Sequence, residues 1–449
     1  MSHYRPYPAY RETGVHALGK VPIHWDVRRV ASLGALRKAN GGTKQDNVDA
    51  GVPCVRYGDL YTAHDFAIRQ TTTFVAEETA ADYTALRFGD VLFAASGETF
   101  EDIGKSAVNL LPGKACCGGD VIVLRPSDGP DPLFLGYALD SSASRAQKAE
   151  MGKGFTVVHV YADQLRNLVV ALPPPDEQTA IARAIERETA RIDGLIAKKT
   201  EFIDLLAKKR QALITHAVTK GLNPKVKMRD SGVEWIGETP EHWQLRPIKS
   251  LADGRGTLFI DGDWIESHNL SEDGVRYITT GNVGEGVYKE QGAGFISDQT
   301  FVELNCTEVL PGDILISRLN PPIGRACLAP DLGMRVVTSV DNVVLRPSKA
   351  FDRTFLVFLF SSQKYLHEAS NLARGATMQR ISRSELGDIR IAVPPLEEQV
   401  QIGQYLNGRA VHIDALAAKV QSSVGLLTKR RSALITAAVT GQIDLRESA

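Results

Sequence analysis

The sequence predicts two α+β domains of one plan, separated by long helices that form an antiparallel coiled coil, and three observations point there. The phrase Gly14-Val15-x-x-x-Gly19-x-x-Pro22-x-His24-Trp25 recurs 218 positions later as Gly232-Val233-x-x-x-Gly237-x-x-Pro240-x-His242-Trp243. A tail is written twice at an offset of 221, with Pro173-Pro174-x-x-Glu177-Gln178 matched by Pro394-Pro395-x-x-Glu398-Gln399. Between phrase and tail, each half carries short apolar runs bounded by Gly, Asp and Pro, which read as strands.

Those runs match in place. Gly89-Asp90-Val91-Leu92 stands against Gly312-Asp313-Ile314-Leu315, and Asp120 to Ser127 (DVIVLRPS) against Asp341 to Ser348 (DNVVLRPS). The tails read as helices. Paired prolines open them, acidic residues fill the first turn, and Gly221 and Gly441 stand where each would stop. Ile181, Ile185, Ile192, Leu195, Phe202, Leu206 and Leu213 fall at a period near 3.5, and Ile402, Leu406, Ile413, Leu416, Leu427 and Leu434 repeat it, with Ser423 polar. So narrow a seam, on a rod of roughly 60 Å, suits another long helix, and the two tails suit each other. The domains expected are 1–175 and 222–395, with helical regions 176–221 and 396–449.

Composition is that of an ordinary folded chain, with 43% hydrophobic and 23% charged residues. The longest strongly apolar run, Phe355 to Phe360, is far short of the roughly 18 residues of a membrane span. The amino terminus shows no basic region leading into an apolar one, which predicts a cytoplasmic protein. Five cysteines in no C-x-x-C spacing read as reduced, mostly buried thiols. The net charge of -1 means that any nucleic-acid surface is local.

Catalytic motifs are not found. Gly104-Lys105-Ser106 resembles the end of a phosphate-binding P-loop, but the motif requires glycine at position 99, where Thr99 stands, and the second half offers Ile323-Gly324-Arg325-Ala326 instead. The ten histidines form no H-E-x-x-H pair, and His24 and His242, beside tryptophans, read as packing residues. No catalytic residue, no metal ligand and no cofactor is therefore expected on this chain.

The phrases Ser231-Gly-Val-Glu-Trp-Ile-Gly-Glu-Thr-Pro-Glu-His-Trp243, Pro394-Pro-Leu-Glu-Glu-Gln399 and Lys208-Lys-Arg-x-Ala-Leu-Ile214 give the chain a resemblance to the specificity subunit of type I restriction-modification systems. The resemblance spans nearly all 449 residues and includes the duplication. It departs at Val15-His16-Ala17-Leu18, where the second copy has Trp235-Ile236. It implies two target-recognition domains, each reading one part of a split asymmetric site in double-stranded DNA, and helices that dock two methyltransferase subunits. S-adenosylmethionine then belongs to those subunits, and ATP with Mg to restriction-translocase subunits joining outside. A DNA-modifying enzyme with an undetected catalytic centre is the alternative.

Base edges are read by Arg, Lys, Asn, Gln, Ser and Thr, and phosphates by basic and backbone donors. Loops near the repeated glycines concentrate such residues: Arg56, Tyr57, Ser96, Lys105, Lys153 and Thr156 in the first half, and Thr279, Asn282, Arg318, Asn320, Arg325, Arg374, Thr377, Gln379 and Arg380 in the second. These are the expected DNA-binding residues.

Overall fold

The computed structural model describes residues 4–127, 129–292 and 294–446. The chain forms two compact units, Met1–Thr200 with Ser422–Ala449, and Glu201–Gln421. Each long helix therefore contributes to both units.

In the first unit a five-stranded sheet runs in the order Gly34–Lys38, Val121–Pro126, Val91–Ala94, Ser106–Asn109, Phe66–Ile68, antiparallel except for the last, parallel pair. A second five-stranded sheet is centred on Val52–Val55 and Ala115–Cys117. The second unit repeats the plan with four strands in each sheet, one ordered Leu258–Asp261, Asn342–Arg346, Ile314–Ser317, Ala326–Leu328. Val91 faces Leu124 as Ile314 faces Leu345, so the duplicated apolar runs occupy equivalent places.

The repeated motifs build the same joints twice. Asp90 receives Arg125 through Nε at 2.9 Å and Nη2 at 2.6 Å, and Asp313 receives Arg346 at 2.8 and 2.6 Å. These forked pairs push both arginine pKa values up, and they explain why Gly-Asp and Leu-Arg-Pro-Ser recur together. Gln178 donates to Pro173 O at 2.8 Å and accepts from Asp131 N at 2.9 Å. Gln399 does the same with Pro394 O at 2.9 Å and Asp352 N at 2.8 Å. Asp131 and Asp352 in turn cap the helices Pro132–Asp140 and Arg353–Phe360.

The central helix is Pro175–Lys220 and the C-terminal helix Leu396–Val439. Gly221 and Gly441 end them at φ +74° and +71°, and a side chain at Gly441 would also collide with Pro22. Within the first unit the helices are antiparallel, since Glu177 neighbours Arg446 and Asp193 pairs with Arg431 at 2.8 Å. Within the second they are antiparallel too, with Gly221 beside Glu398 and Arg210 paired with Asp414 at 3.1 Å.

The buried stripe departs from the expected seam. Leu195 and Phe202 are exposed, and the inward residues are Ile181, Ile185, Thr189, Ile192, Leu206, Ile214 and Ala217, with Ile196 half-buried. This is a 3.6-residue period, and a straight helix drifts by ~20° per heptad from a 3.5 repeat, which carries the outer seam positions into solvent. Four cysteines are buried, Cys306 is half-buried, and all five are free thiols. No helix among the described residues is long and apolar enough to cross a membrane.

Candidate nucleic-acid interface

In the first unit Arg56 precedes the short helix Tyr57–Thr62 and turns its guanidinium back on the protein. It donates to Asn47 Oδ1 at 2.6 Å, Thr43 O at 2.7 Å, and Gly42 O and Tyr83 Oη at 3.3 Å. Asp46 accepts from Tyr83 Oη and Thr43 N at 2.8 Å, and these bonds hold its carboxyl below the usual range. Arg56 and Asp46 thus shape the loop 41–44, leaving Tyr57, Lys38 and Lys44 around an open depression of about 810 Å³. Lys105 is mostly buried, paired with Asp65 at 3.2 Å and donating to Tyr61 O at 3.4 Å. Ser96 is buried with Oγ 3.0 Å from His159 Nδ1, tying Ser96–Gly97 to Val158–His159. Lys153 and Thr156 stand exposed on a hairpin between residues 153 and 159.

In the second unit Asn282 is buried and closes its own turn. It accepts from Thr279 N at 2.9 Å and donates to Lys289 O and Gln291 O at 2.9 and 3.0 Å, while Thr279 stays exposed. Arg318 is also buried, donating to Val340 O at 2.5 Å and Ile381 O at 3.3 Å and paired with Asp261 at 3.0 Å; burial pushes its pKa down. Arg325 meets five carbonyl oxygens: Asn320 at 2.6 Å, Val283 at 2.7 Å, Thr280 at 2.9 Å, Pro322 at 3.0 Å and Leu319 at 3.3 Å. It thereby joins the turn at 279–283 to the loop at 319–322.

Asn320 is exposed, at φ +58°, and its N–H donates to Gln379 O at 3.0 Å. Through this bond and the Leu319–Arg380 bridge, Asn320, Gln379 and Arg380 come to one surface, beside Arg374 and Thr377. Arg380 is paired with Asp341 at 3.0 Å and Arg374 with Glu385 at 3.3 Å; both remain accessible.

Tyr57, Lys153, Thr156, Thr279, Asn320, Arg374, Thr377, Gln379 and Arg380 are therefore on the surface. Arg56, Ser96, Lys105, Asn282, Arg318 and Arg325, expected among the DNA contacts, have their polar groups directed into the protein, where they fix loop shape. A basic residue after a loop glycine suits free carbonyls as well as it suits phosphates, and the sequence pattern does not separate the two. The pattern of polar donors also passed over exposed apolar residues: Phe155 and Met378 on the same hairpins, and Trp264, which follows the strand Leu258–Asp261 and donates through Nε1 to Glu266 at 3.0 Å. Among the described residues no group of three or more His, Cys, Asp or Glu could hold a metal ion. What the exposed loops offer is hydrogen-bond donors, cations and apolar tips, the chemistry of base edges and phosphates.

Residues 22–203 and 240–408 match the family model described as the type I restriction modification DNA specificity domain. The chain belongs to that family. Its two matched spans fall largely one in each compact unit. Among curated relatives, the putative type I restriction enzyme MjaX specificity subunit of Methanocaldococcus jannaschii is 25% identical over 445 residues, 96% of each chain. The EcoKI specificity subunit of Escherichia coli is 21% identical, covering 95% of this chain and 90% of that one. A chain of a solved type I R-M system shares the fold at a TM-score of 0.71 and 19% identity, over 93% of this chain and 98% of that one. The HsdS subunit of Thermoanaerobacter tengcongensis shares it at 0.53 and 19%, over 94% and 98%. In this chain the doubled Asp–Arg forks and Gln clamps form a frame common to both halves, and the loops at 153–159 and 374–380 differ between them.

Proposed function

We propose that this chain is the sequence-reading subunit of a type I restriction-modification complex, each compact unit reading one half of a split, asymmetric site in double-stranded DNA. The observation that carries the reading is one frame built twice with different side chains at its exposed loops. Lys153 to His159 (KGFTVVH) and Arg374 to Arg380 (RGATMQR) form hairpins of equal length in equivalent places, yet share only glycine and threonine at matching positions. Two readers on one plan recognise two sequences.

On this reading the long helices dock two methyltransferase subunits, which hold S-adenosylmethionine, and ATP with Mg acts on restriction-translocase subunits. The chain itself supplies no chemistry, and the complex works in the cytoplasm. Arg374 and Arg380 are the readers of guanine, Gln379 and Asn320 those of adenine, and Lys153, Thr156, Thr279, Thr377 and Tyr57 complete the contacts. Co-expression with the methyltransferase subunit, followed by genome-wide mapping of methylated adenines, tests it. A split site with two unlike halves is expected; a continuous palindrome overturns the two-reader scheme.

A further inference from the structure

Phe155 is the most exposed large hydrophobic residue among those described, at 106% of its reference accessibility. It sits at the end of a hairpin closed at its base. Lys153 N donates to His159 O at 2.9 Å and His159 N to Lys153 O at 2.7 Å, closing the base. Gly154 turns the chain at φ +128°, and a Cβ there would lie 2.0 Å from Val157 O, so only glycine makes this turn. Below, Phe100, Ile103 and Val158 pack so closely on Gly152 that a Cβ would meet them at 2.9 to 3.3 Å. The root of the hairpin is fixed, while its tip residues Phe155, Thr156 and Val157 touch solvent.

The second unit builds the same hairpin, with Arg374 and Arg380 exchanging both backbone bonds at 2.9 Å and Gly375 at φ +110°. There the tip is Ala376-Thr377-Met378, framed by Arg374, Gln379 and Arg380. The backbone is held constant and the chemistry of the tip is changed, from mainly apolar to donor-rich. The major groove is wide enough for a two-stranded ribbon and so admits this shorter hairpin, and the one apolar group presented on base edges there is the thymine C5-methyl.

Resting on the reading of the chain as a DNA-recognition subunit, we propose that the hairpin 153–159 enters the major groove and that Phe155 contacts the C5-methyl of a thymine in the half-site read by the first unit. Nothing in the fold requires an aromatic ring at this position, so its apolar surface is available to a ligand.

The test uses the complex reconstituted with its methyltransferase subunits and a duplex carrying the mapped site. Each thymine of the first half-site is replaced in turn by deoxyuridine, which removes only the methyl group. For the parent complex one replacement should weaken binding about four-fold, the effect of burying one methyl-sized group. Phe155→Ala should weaken binding to the thymine duplex about ten-fold and make the complex indifferent to that replacement, while Phe155→Leu stays sensitive to it. Thermal unfolding should be unchanged for both variants, because the side chain contacts solvent. A first half-site without thymine, indifference of the parent to every deoxyuridine, or an Ala variant that keeps the parent's affinity overturns the proposal. So does an Ala variant that loses its partner subunits on gel filtration while its deoxyuridine response persists, which would make Phe155 a protein-docking residue. If the parent complex shows no sequence preference at all, the recognition reading fails with it; selective binding by the parent together with any of the other outcomes removes Phe155 alone.

Discussion

Replacing Arg325 by alanine separates a loop-forming arginine from a phosphate-neutralising one. Of the five carbonyl oxygens that it meets, Val283 O belongs to a buried residue, and leaving it unmet costs about 1–3 kcal/mol. The other four lie on half-buried or exposed residues that water can reach, so each loses a few tenths to about 0.5 kcal/mol of net hydrogen bonding. The sum is about 2–5 kcal/mol from the second unit, read as a lower urea midpoint for that unit. The loop 319–322 then loses its tie to the turn at 279–283, so Asn320 is held less firmly and affinity for the mapped site should fall. Binding to unrelated DNA should keep its salt dependence. Fluorescence anisotropy of a labelled duplex between 50 and 200 mM salt checks this, because a lost phosphate contact lowers the slope of log K against log salt by about 0.9. Lys153→Ala, which removes an exposed cation assigned to no base, is the positive control for such a change. A slope lowered by about 0.9 for Arg325→Ala, with the urea midpoint unchanged, would refute the reasoning.

Lys148 is fully buried and bonded to Gly104 O at 2.6 Å, Leu139 O at 3.0 Å and Asp140 at 3.1 Å, and burial pushes its pKa down; Lys148→Met should destabilise the first unit by about 3–5 kcal/mol, and a urea midpoint like the parent's would contradict this. Glu177 accepts from Tyr7 Oη at 2.8 Å, His24 at 3.0 Å and Trp25 Nε1 at 3.1 Å, whereas Glu398 has His242 at 2.8 Å and the Trp243 N–H lacks a partner among the described residues. Glu177→Gln should therefore cost about 2 kcal/mol and Glu398→Gln under about 1; equal losses in chemical denaturation would show that the repeat is energetically symmetric. The Arg446 hydrogen bond to Asp444 holds that carboxyl below its usual range, so its contribution is complete above pH about 3.9 and disappears as the pH falls through the lower folded value. The difference in urea midpoint between the parent and Asp444→Asn should be constant from pH 7 to 5 and shrink below pH 4; a difference that widens in acid would reverse the assigned sign.

The duplication, the strand-forming runs and the helix boundaries were legible because each rests on local rules. Proline pairs open the helices, Gly221 and Gly441 close them at positive φ, and apolar runs between Gly and Pro become the buried strands Val91–Ala94 and Ile314–Ser317. The phase of the helix stripe was less legible. Leu195 against Ile196 is decided by which face the rest of the unit covers, and periods of 3.5 and 3.6 diverge only over several turns. At the candidate interface, residue type alone does not tell an inward-turned donor from an outward one. Arg325 and Arg374 are both arginines next to glycines, and only tertiary packing shows that one meets five carbonyls while the other stays at the surface beside Glu385. Phe155 escaped because an isolated Phe reads as core, and its exposure follows from a glycine turn four residues across that no pattern of polarity marks.

The two units also show how one backbone accommodates different interiors beneath its loops. In the first, the carbonyl of Gly104 is met by Lys148, whose charge is balanced by Asp140, a carboxylate that Arg145 also pairs with. In the second, the positions equivalent to Lys148 and Asp140 are Ala369 and Ser361, and the space beside Gly324 is filled by the Ala369 methyl and the Tyr365 ring. A buried ion pair is replaced by packed apolar surface with little change of backbone, an exchange that costs little when both partners are replaced together and much when one is left behind. The same logic holds at the surface. Asp–Arg forks, Gln clamps and the Gly154 and Gly375 turns fix where the chain goes, so the residues between them are free to differ. A change at positions 155–157 or 376–378 alters what is presented without altering how it is held, and that independence lets one scaffold carry two different loop surfaces.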